Sequence, residues 1–277
     1  MSVNLADLGE PFATGRSAQI FDWPEGGLVL KLFEAGYPVE RADLERRSIE
    51  EALRIGVDTA ACHGLVEVDG RPGLLLERIA GESLTTRAER NPLQIRSGAR
   101  ALASTHVQLH AAPTSQFSEV REESVAALNT PPLNFLSDRQ RAQAIRNIEA
   151  LPAGDRILHM DFHTENVFRD GDRLVVIDWQ TTLRGDPAAD VAMTVLLIRD
   201  AELWPGTPAL KRLVIQQIRG IVLSAYLAEY RRSTGMTDER IRAWRLPVVV
   251  LRMSTLDVAS ERDRLRQEVL SLLKDPR

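Results

Sequence analysis

Apolar residues first gather in two short runs, Ala18–Trp23 and Leu28–Phe33. Gly15-Arg16-Ser17 precedes the first, and Pro24-Glu25-Gly26-Gly27 separates the two. Short apolar runs bounded by Gly and Pro predict a β-hairpin. Tyr37–Ile55 is charged and reads as a helix, with Gly56 placed to cap its C-terminus. Cys62–Val68 and Leu74–Ile79, joined by a turn over Asp69-Gly70-Arg71-Pro72-Gly73, predict a second hairpin. The first 80 residues therefore predict a small, mainly antiparallel sheet with one helix.

After Gly81 the pattern becomes helical. Leu93, Ile95, Ala99, Leu102, Ala103 and Leu109 recur at helical spacing through Asn91–His110. A strand–loop–strand at Ile157–Asp178 interrupts, and helical patterns return over Ala188–Arg199, Pro208–Arg232, Asp238–Arg252 and Ser260–Lys274. No internal repeat or low-complexity tract is visible. The expectation is an α+β chain in two lobes, a β-rich lobe over residues 1–80 and a helical lobe over 81–277. The hinge falls near Arg78–Gly81, and a cleft between the lobes is the natural ligand site.

Composition narrows the function classes. The 277 residues are 44% hydrophobic and 27% charged, which suits a folded globular protein. A formal charge of −4 argues against a broad nucleic-acid-binding surface. Cys62 is the single cysteine, so an intramolecular disulfide and a Cys-rich zinc site are excluded, and it reads as a small buried hydrophobe. The opening MSVNLADLGEPF has neither a basic nor an apolar leader region. The apolar stretches Leu213–Ala228 and Leu246–Leu251 are short or broken by Gln and Arg, short of the roughly 20 residues of a membrane span. A cytoplasmic protein with no membrane partner is expected. Oligomeric state leaves no signal.

The chemistry concentrates in Ile157-Leu158-His159-Met160-Asp161-Phe162-His163-Thr164-Glu165-Asn166-Val167-Phe168, followed by Leu174-Val175-Val176-Ile177-Asp178-Trp179. An Asp followed five residues later by an Asn, and then an Asp ending an apolar strand, is the spacing of a kinase catalytic loop and its metal-binding aspartate. Phosphoryl transfer is mainly positioning and charge neutralisation. Asp161 would orient the attacking hydroxyl or accept its proton. Asn166 and Asp178 would offer hard oxygens to Mg2+.

In the first lobe, Lys31 lies within the apolar run Leu28–Phe33 and has two readings. It is either an edge-strand lysine facing solvent or a lysine for nucleotide phosphates that pairs with a helix glutamate. On the next helix, Glu45 shares a face with Ile49, Ala52 and Leu53, whereas Glu50 and Glu51 point away. Glu45 is therefore the expected partner. Backbone N–H groups near Gly15 and the Ser17 hydroxyl can cover phosphates, although the loop is not a full Gly-x-Gly-x-x-Gly and also reads as an ordinary turn.

At these residues the chain resembles the aminoglycoside phosphotransferase and choline kinase group, small-molecule relatives of protein kinases. HMDFHTENVF is similar to that group's H-G-D-x-H-x-x-N loop and VVIDW to its I-D-W/F strand. GLLLERIAGESL, LASTHVQLH and GDPAADVA are weaker likenesses to its hinge strand, its two-histidine helix and its G-D-P-x-x-D-L-A. The resemblance implies a protein-kinase-like two-lobe fold, with Lys31 and Glu45 at the phosphates of ATP or GTP. It implies Asp161 as base, Asn166 and Asp178 at Mg2+, and the Glu77, Arg78 and Ile79 backbone at the nucleotide base. Asp190 would act structurally or toward the acceptor. Met160 stands where the group has glycine, and Glu165 where it has a small or polar residue.

The implied reaction moves the γ-phosphate to a hydroxyl of a small acceptor, with an amino sugar favoured and choline, homoserine or a simple sugar open. A protein substrate is disfavoured, since Trp179–Pro187 is too short for an activation loop and no Ala-Pro-Glu follows. The rival is a non-catalytic nucleotide-binding regulator, against which the intact Lys31, Asp161, Asn166 and Asp178 speak. His159, His163 and Glu165 lack the helical spacing of a zinc site. His159 instead reads as fixing the loop. His106 and His110, four apart, read as packing residues. Trp179, Trp204, Tyr226, Tyr230 and Trp244 read as core more readily than as a cage for a quaternary ammonium group.

Overall fold

This computed structural model describes residues 4–200, 208–256 and 259–274. In chain order, the first elements are β1 (Ala13–Thr14), β2 (Ala18–Asp22), β3 (Leu28–Phe33), α1 (Val39–Arg54), β4 (Cys62–Val68), β5 (Arg71–Glu77) and β6 (Glu82–Ser83). Then come α2 (Leu84–Arg90), α3 (Ile95–Leu109), α4 (Val120–Ala127), α5 (Asp138–Glu149), β7 (Arg156–Leu158), β8 (Val167–Asp170), β9 (Arg173–Val176) and β10 (Leu183–Gly185). Helices α6 (Pro187–Asp200), α7 (Ala209–Thr234), α8 (Asp238–Ala243), α9 (Arg245–Leu256) and α10 (Ala259–Leu272) complete the fold.

The chain divides into two compact units, the first made of Met1–Arg87 with Thr164–Thr182 and the second of Ala88–His163 with Leu183–Arg277. This differs from a linear partition at residue 80. Strand β6 pairs with β8, and β8 with β9, so backbone hydrogen bonds tie the β8–β9 hairpin to the first unit. Gly81 shows how tightly. A Cβ there would meet the Arg169 carbonyl at 2.1 Å, so only glycine lets the two backbones approach.

Unit 1 holds a five-stranded antiparallel sheet in the order β1-β2-β3-β5-β4. Alternation along β3 sends Leu30 and Leu32 to a cluster with Leu8, Phe21 and Val68. Phe33 goes to the opposite face, with Ala18, Ala42 of α1 and Leu74. Both hairpins read from the sequence are present, but the second turn is narrower than predicted. Arg71, Pro72 and Gly73 already pair with β4, leaving Asp69 and Gly70 to turn in the left-handed region. Cys62 is half-buried, so the fully buried reading is corrected.

Unit 2 packs α3 against α7, and α9 against α4 and α6. Helix α6 is buried on most of its surface, from Ala188 to Ile198. Asp186 accepts from the Ala188 N–H at 2.9 Å and Pro187 opens the helix. Asp186 also takes the Arg240 guanidinium through both oxygens. Gly185 is required just before it, because a Cβ would lie 2.4 Å from Val120 Cγ1. The predicted helix Asp238–Arg252 is two helices that break at Trp244. Among the described residues no helix is long and apolar enough to cross a membrane.

Candidate active site

In unit 1, β3 is the central strand of the five, which corrects the edge-strand reading of Lys31. Alternation puts Lys31 on the face of Phe33, the face that α1 covers. Its side chain is 9% exposed, and Nζ donates to Glu45 Oε1 at 2.7 Å and to Asp178 Oδ1 at 2.8 Å. Burial alone would depress the ammonium, but the charges of Asp178 and Glu45 prevail and hold its pKa above the ordinary value. Burial pushes the Glu45 carboxyl up, against the pull of Lys31. Glu45 occupies the buried stripe of α1 with Ala42, Ile49 and Ala52. Two face assignments on that helix are corrected. Leu53 is 42% exposed, and Glu51 is buried because Arg54 covers it with hydrogen bonds of 2.6 and 2.7 Å.

Asp178 follows β9 in a left-handed conformation, φ 66°, which turns the chain out of the sheet. Its side chain is 37% exposed. Asn166 is buried ahead of β8, where its carbonyl accepts from the Ile177 N–H at 3.0 Å. Beside it, the Thr85 hydroxyl donates to that of Thr164 at 2.7 Å. Lys31, Glu45, Asn166 and Asp178 thus belong to one compact unit.

Gly15 and Ser17 lie in the turn between β1 and β2, closed by the Gly15 N–H donating to the Ala18 carbonyl at 2.9 Å. The Ser17 hydroxyl donates to Gln180 Oε1 at 3.0 Å. The Glu77 side chain accepts from the Ala61 N–H at 3.2 Å and from Arg173 at 2.9 Å. The Arg173 hydrogen bond holds that carboxyl below its ordinary pKa. Arg78 pairs with Asp22, lies over the Phe12 ring at 5.2 Å, and its N–H donates to the Gly27 carbonyl at 3.0 Å. Ile79 is half-buried in the segment that leaves β5.

Unit 2 carries Asp161, with its side chain 24% exposed and Oδ2 3.6 Å from His163 Nε2. The preceding loop hangs on Asp190 of α6. The backbone N–H groups of His159 and Met160 donate to the two Asp190 oxygens at 2.6 and 2.9 Å. His159 Nδ1 accepts from the Asp161 N–H at 3.3 Å. Met160 adopts φ 61°, which is natural for glycine and costs a side-chain residue about 1 kcal/mol.

On its other side, Asp190 Oδ2 meets His106 of α3 and His110, which caps that helix. His110 Nε2 lies at 3.3 Å, and His106 Nε2 at 3.1 Å but off the line of a good hydrogen bond. Each Nδ1 meets a tyrosine hydroxyl, and because a carboxylate only accepts, His110 carries its proton on Nε2 and accepts from its tyrosine. The pairs are His106 with Tyr226 at 2.7 Å and His110 with Tyr230 at 2.8 Å. Burial and the neighbouring His110 push His106 down to about 4. Burial would raise the Asp190 carboxyl, but its electrostatic and hydrogen-bond coupling to His106 and His110 prevails and holds it well below the usual carboxylate range.

Tyr226, Tyr230 and Trp244 are core residues of unit 2, and Trp179 is buried in unit 1 with Nε1 donating to Thr59 at 2.9 Å. Trp204 lies outside the described residues. Sequence reasoning missed the role of Tyr226 and Tyr230 as hydrogen-bond partners. The signal was there: a His pair four apart on one helix and a Tyr pair four apart on another. It missed Gln180 altogether.

A sequence profile of the Phosphotransferase enzyme family matches residues 9–244. The chain belongs to that family. A comparison of this phosphotransferase with curated proteins finds no match. Among solved structures it is similar to aminoglycoside-3'-phosphotransferase of type VIII, at 19% identity over 86% of this chain and 90% of that one, TM-score 0.60. It is also similar to a thermostable mutant of aminoglycoside phosphotransferase APH(4)-Ia, in ternary complex with AMP-PNP and hygromycin B, at 17% identity, 94% and 92% coverage and TM-score 0.65. A third is amicoumacin kinase hAmiN, in complex with AMP-PNP, Ca2+ and Ami, at 12% identity, 93% and 86% coverage and TM-score 0.57. At these identities the likeness is one of fold, and this phosphotransferase has the fold of aminoglycoside kinases.

Proposed function

We propose that this phosphotransferase moves the γ-phosphate of ATP or GTP to a hydroxyl of a small acceptor, an amino sugar first among the candidates. The observation that carries the reading is Lys31, buried and hydrogen-bonded to both Glu45 and Asp178. A cation held between two carboxylates is placed to meet phosphate oxygens at no cost of ordering a long side chain. Ser17 and the backbone of the Gly15 turn would cover the phosphates, and the backbone of Glu77, Arg78 and Ile79 would meet the base. The neighbours solved with AMP-PNP support a nucleotide donor.

The donor set of unit 1 suits Mg2+. Asp178 offers a partly exposed carboxylate and Asn166 a neutral amide oxygen, both hard ligands. When bound, the ion would neutralise charge on the transferring phosphates. The protein's own work is positional. Asp161 would orient the acceptor hydroxyl and take its proton, on a loop whose backbone Asp190 holds. One neighbour was solved with hygromycin B bound beside AMP-PNP, which supports the amino-sugar reading. We place the reaction in the cytoplasm, where nucleoside triphosphates are abundant.

The test is nucleoside triphosphate consumption with magnesium across aminoglycosides, choline, homoserine and simple sugars. The expected result is an acceptor-dependent rate with one class, reduced about 10²–10⁴-fold by Asp161→Asn while nucleotide binding persists. Nucleotide binding without turnover on any acceptor would favour the regulator. Absence of nucleotide binding would end the reading.

A further inference from the structure

The Gln180 carboxamide joins three parts of unit 1. Nε2 donates to Asp178 Oδ1 at 2.7 Å, while Oε1 accepts from the Ser17 hydroxyl at 3.0 Å and the Tyr37 hydroxyl at 3.1 Å. Asp178 Oδ1 also receives Lys31, which holds Glu45. The direction of every bond is set by chemistry. A carboxylate only accepts, so the amide nitrogen faces Asp178 and its oxygen is left for the two hydroxyls. A glutamate at this position would set acceptor against acceptor beside Asp178, and an alanine would release all three groups.

We propose that Gln180 is a positioning residue. It fixes the side-chain orientation of Asp178 and links that carboxylate to the phosphate-covering turn, so that metal-assisted nucleotide binding depends on it. The inference rests on the nucleotide and Mg2+ reading of unit 1 given above. Ser17 is then more than a lid hydroxyl, because its bond to Gln180 couples the turn to the metal aspartate.

The test is equilibrium binding of AMP-PNP to the full chain, with saturating magnesium and with EDTA, for wild type, Gln180→Ala, Gln180→Glu, Ser17→Ala and the Ser17→Ala/Gln180→Ala pair. Gln180→Ala should lose about tenfold in affinity with magnesium and less than about twofold in EDTA, the size expected for a hydrogen bond to a charged group. Gln180→Glu should lose at least as much. In the double variant Ser17→Ala should cost less than it does alone, since the part of its effect that passes through Gln180 is already gone. A thermal melt shows which variants are folded. If Gln180→Ala is not, Tyr37→Phe, which removes a single bond, should show a smaller loss confined to the magnesium condition. Equal losses with and without magnesium, wild-type affinity in Gln180→Ala, or additive effects of Ser17 and Gln180 would overturn the proposal. Wild type that binds no nucleotide in either condition would instead overturn the functional reading, and this inference with it.

Discussion

Glu45 in unit 1 and Asp190 in unit 2 are both almost fully removed from solvent, at 1% and 0% exposure, and different chemistry stabilises each. Glu45 depends chiefly on the Lys31 cation, which it shares with the partly exposed Asp178, with a smaller share from the Trp179 backbone N–H. Burial therefore pushes its carboxyl up. Asp190 depends on several groups at once: two backbone N–H groups and two imidazoles, each paired with a tyrosine hydroxyl. Its carboxyl lies well below the usual range. An ammonium held between two carboxylates still has a third N–H for a ligand, whereas the N–H groups of a loop that Asp190 holds are used up. The first arrangement suits a site that exchanges partners, and the second suits an anchor.

The largest test of that contrast is Asp190→Ala. It strands the His159 and Met160 N–H groups and two imidazoles in the core, and should cost about 3–5 kcal/mol in urea denaturation. Lys31→Met should cost about 3 kcal/mol at pH 7, because Glu45 is left buried without its cation. Here pH separates the two regions. In Lys31→Met the folded Glu45 pKa lies above its unfolded value, so the folded state binds the extra proton and the loss shrinks as pH falls. An equal loss at pH 7 and pH 5 would show that Glu45 is not the group left stranded.

His106 should behave in the opposite sense. Its folded pKa of about 4 lies below the ordinary 6.5, so its contribution is complete above pH 6.5 and declines as pH falls toward 4. Between pH 7 and pH 5 it should withdraw about 2 kcal/mol of stability, and His106→Phe should remove that part of the pH slope. The smallest effects belong to Tyr226→Phe and Tyr230→Phe, about 1 kcal/mol each by thermal denaturation. Nitrogen NMR should then show the paired imidazole freed to change tautomer; an unchanged tautomer would mean that Asp190 alone sets it.

Much of this was legible in the residues. The hairpins of the first unit, α1 and the long helices follow from local apolar periodicity, and α1 geometry alone picked Glu45 from its neighbouring glutamates. Less visible were α4 and α5, whose apolar residues are sparse and whose N-caps, Glu119 and Ser137, are single polar residues in polar surroundings. The order β1-β2-β3-β5-β4 was not legible, because which strand lies beside β3 is a non-local choice. That order turned Lys31 from an edge residue into a central one.

By itself the sequence determined the local elements and the order of motifs from the Gly15 turn to the Asp178 strand, because both are written in short-range spacing. The tertiary structure alone decided that the hairpin after Asn166 joins the first unit through β6. It decided that Gln180 meets Ser17 across 163 positions, and that His106 and His110 each find a tyrosine 120 positions away. Those pairings are set by packing between distant segments, which no periodicity within either segment encodes.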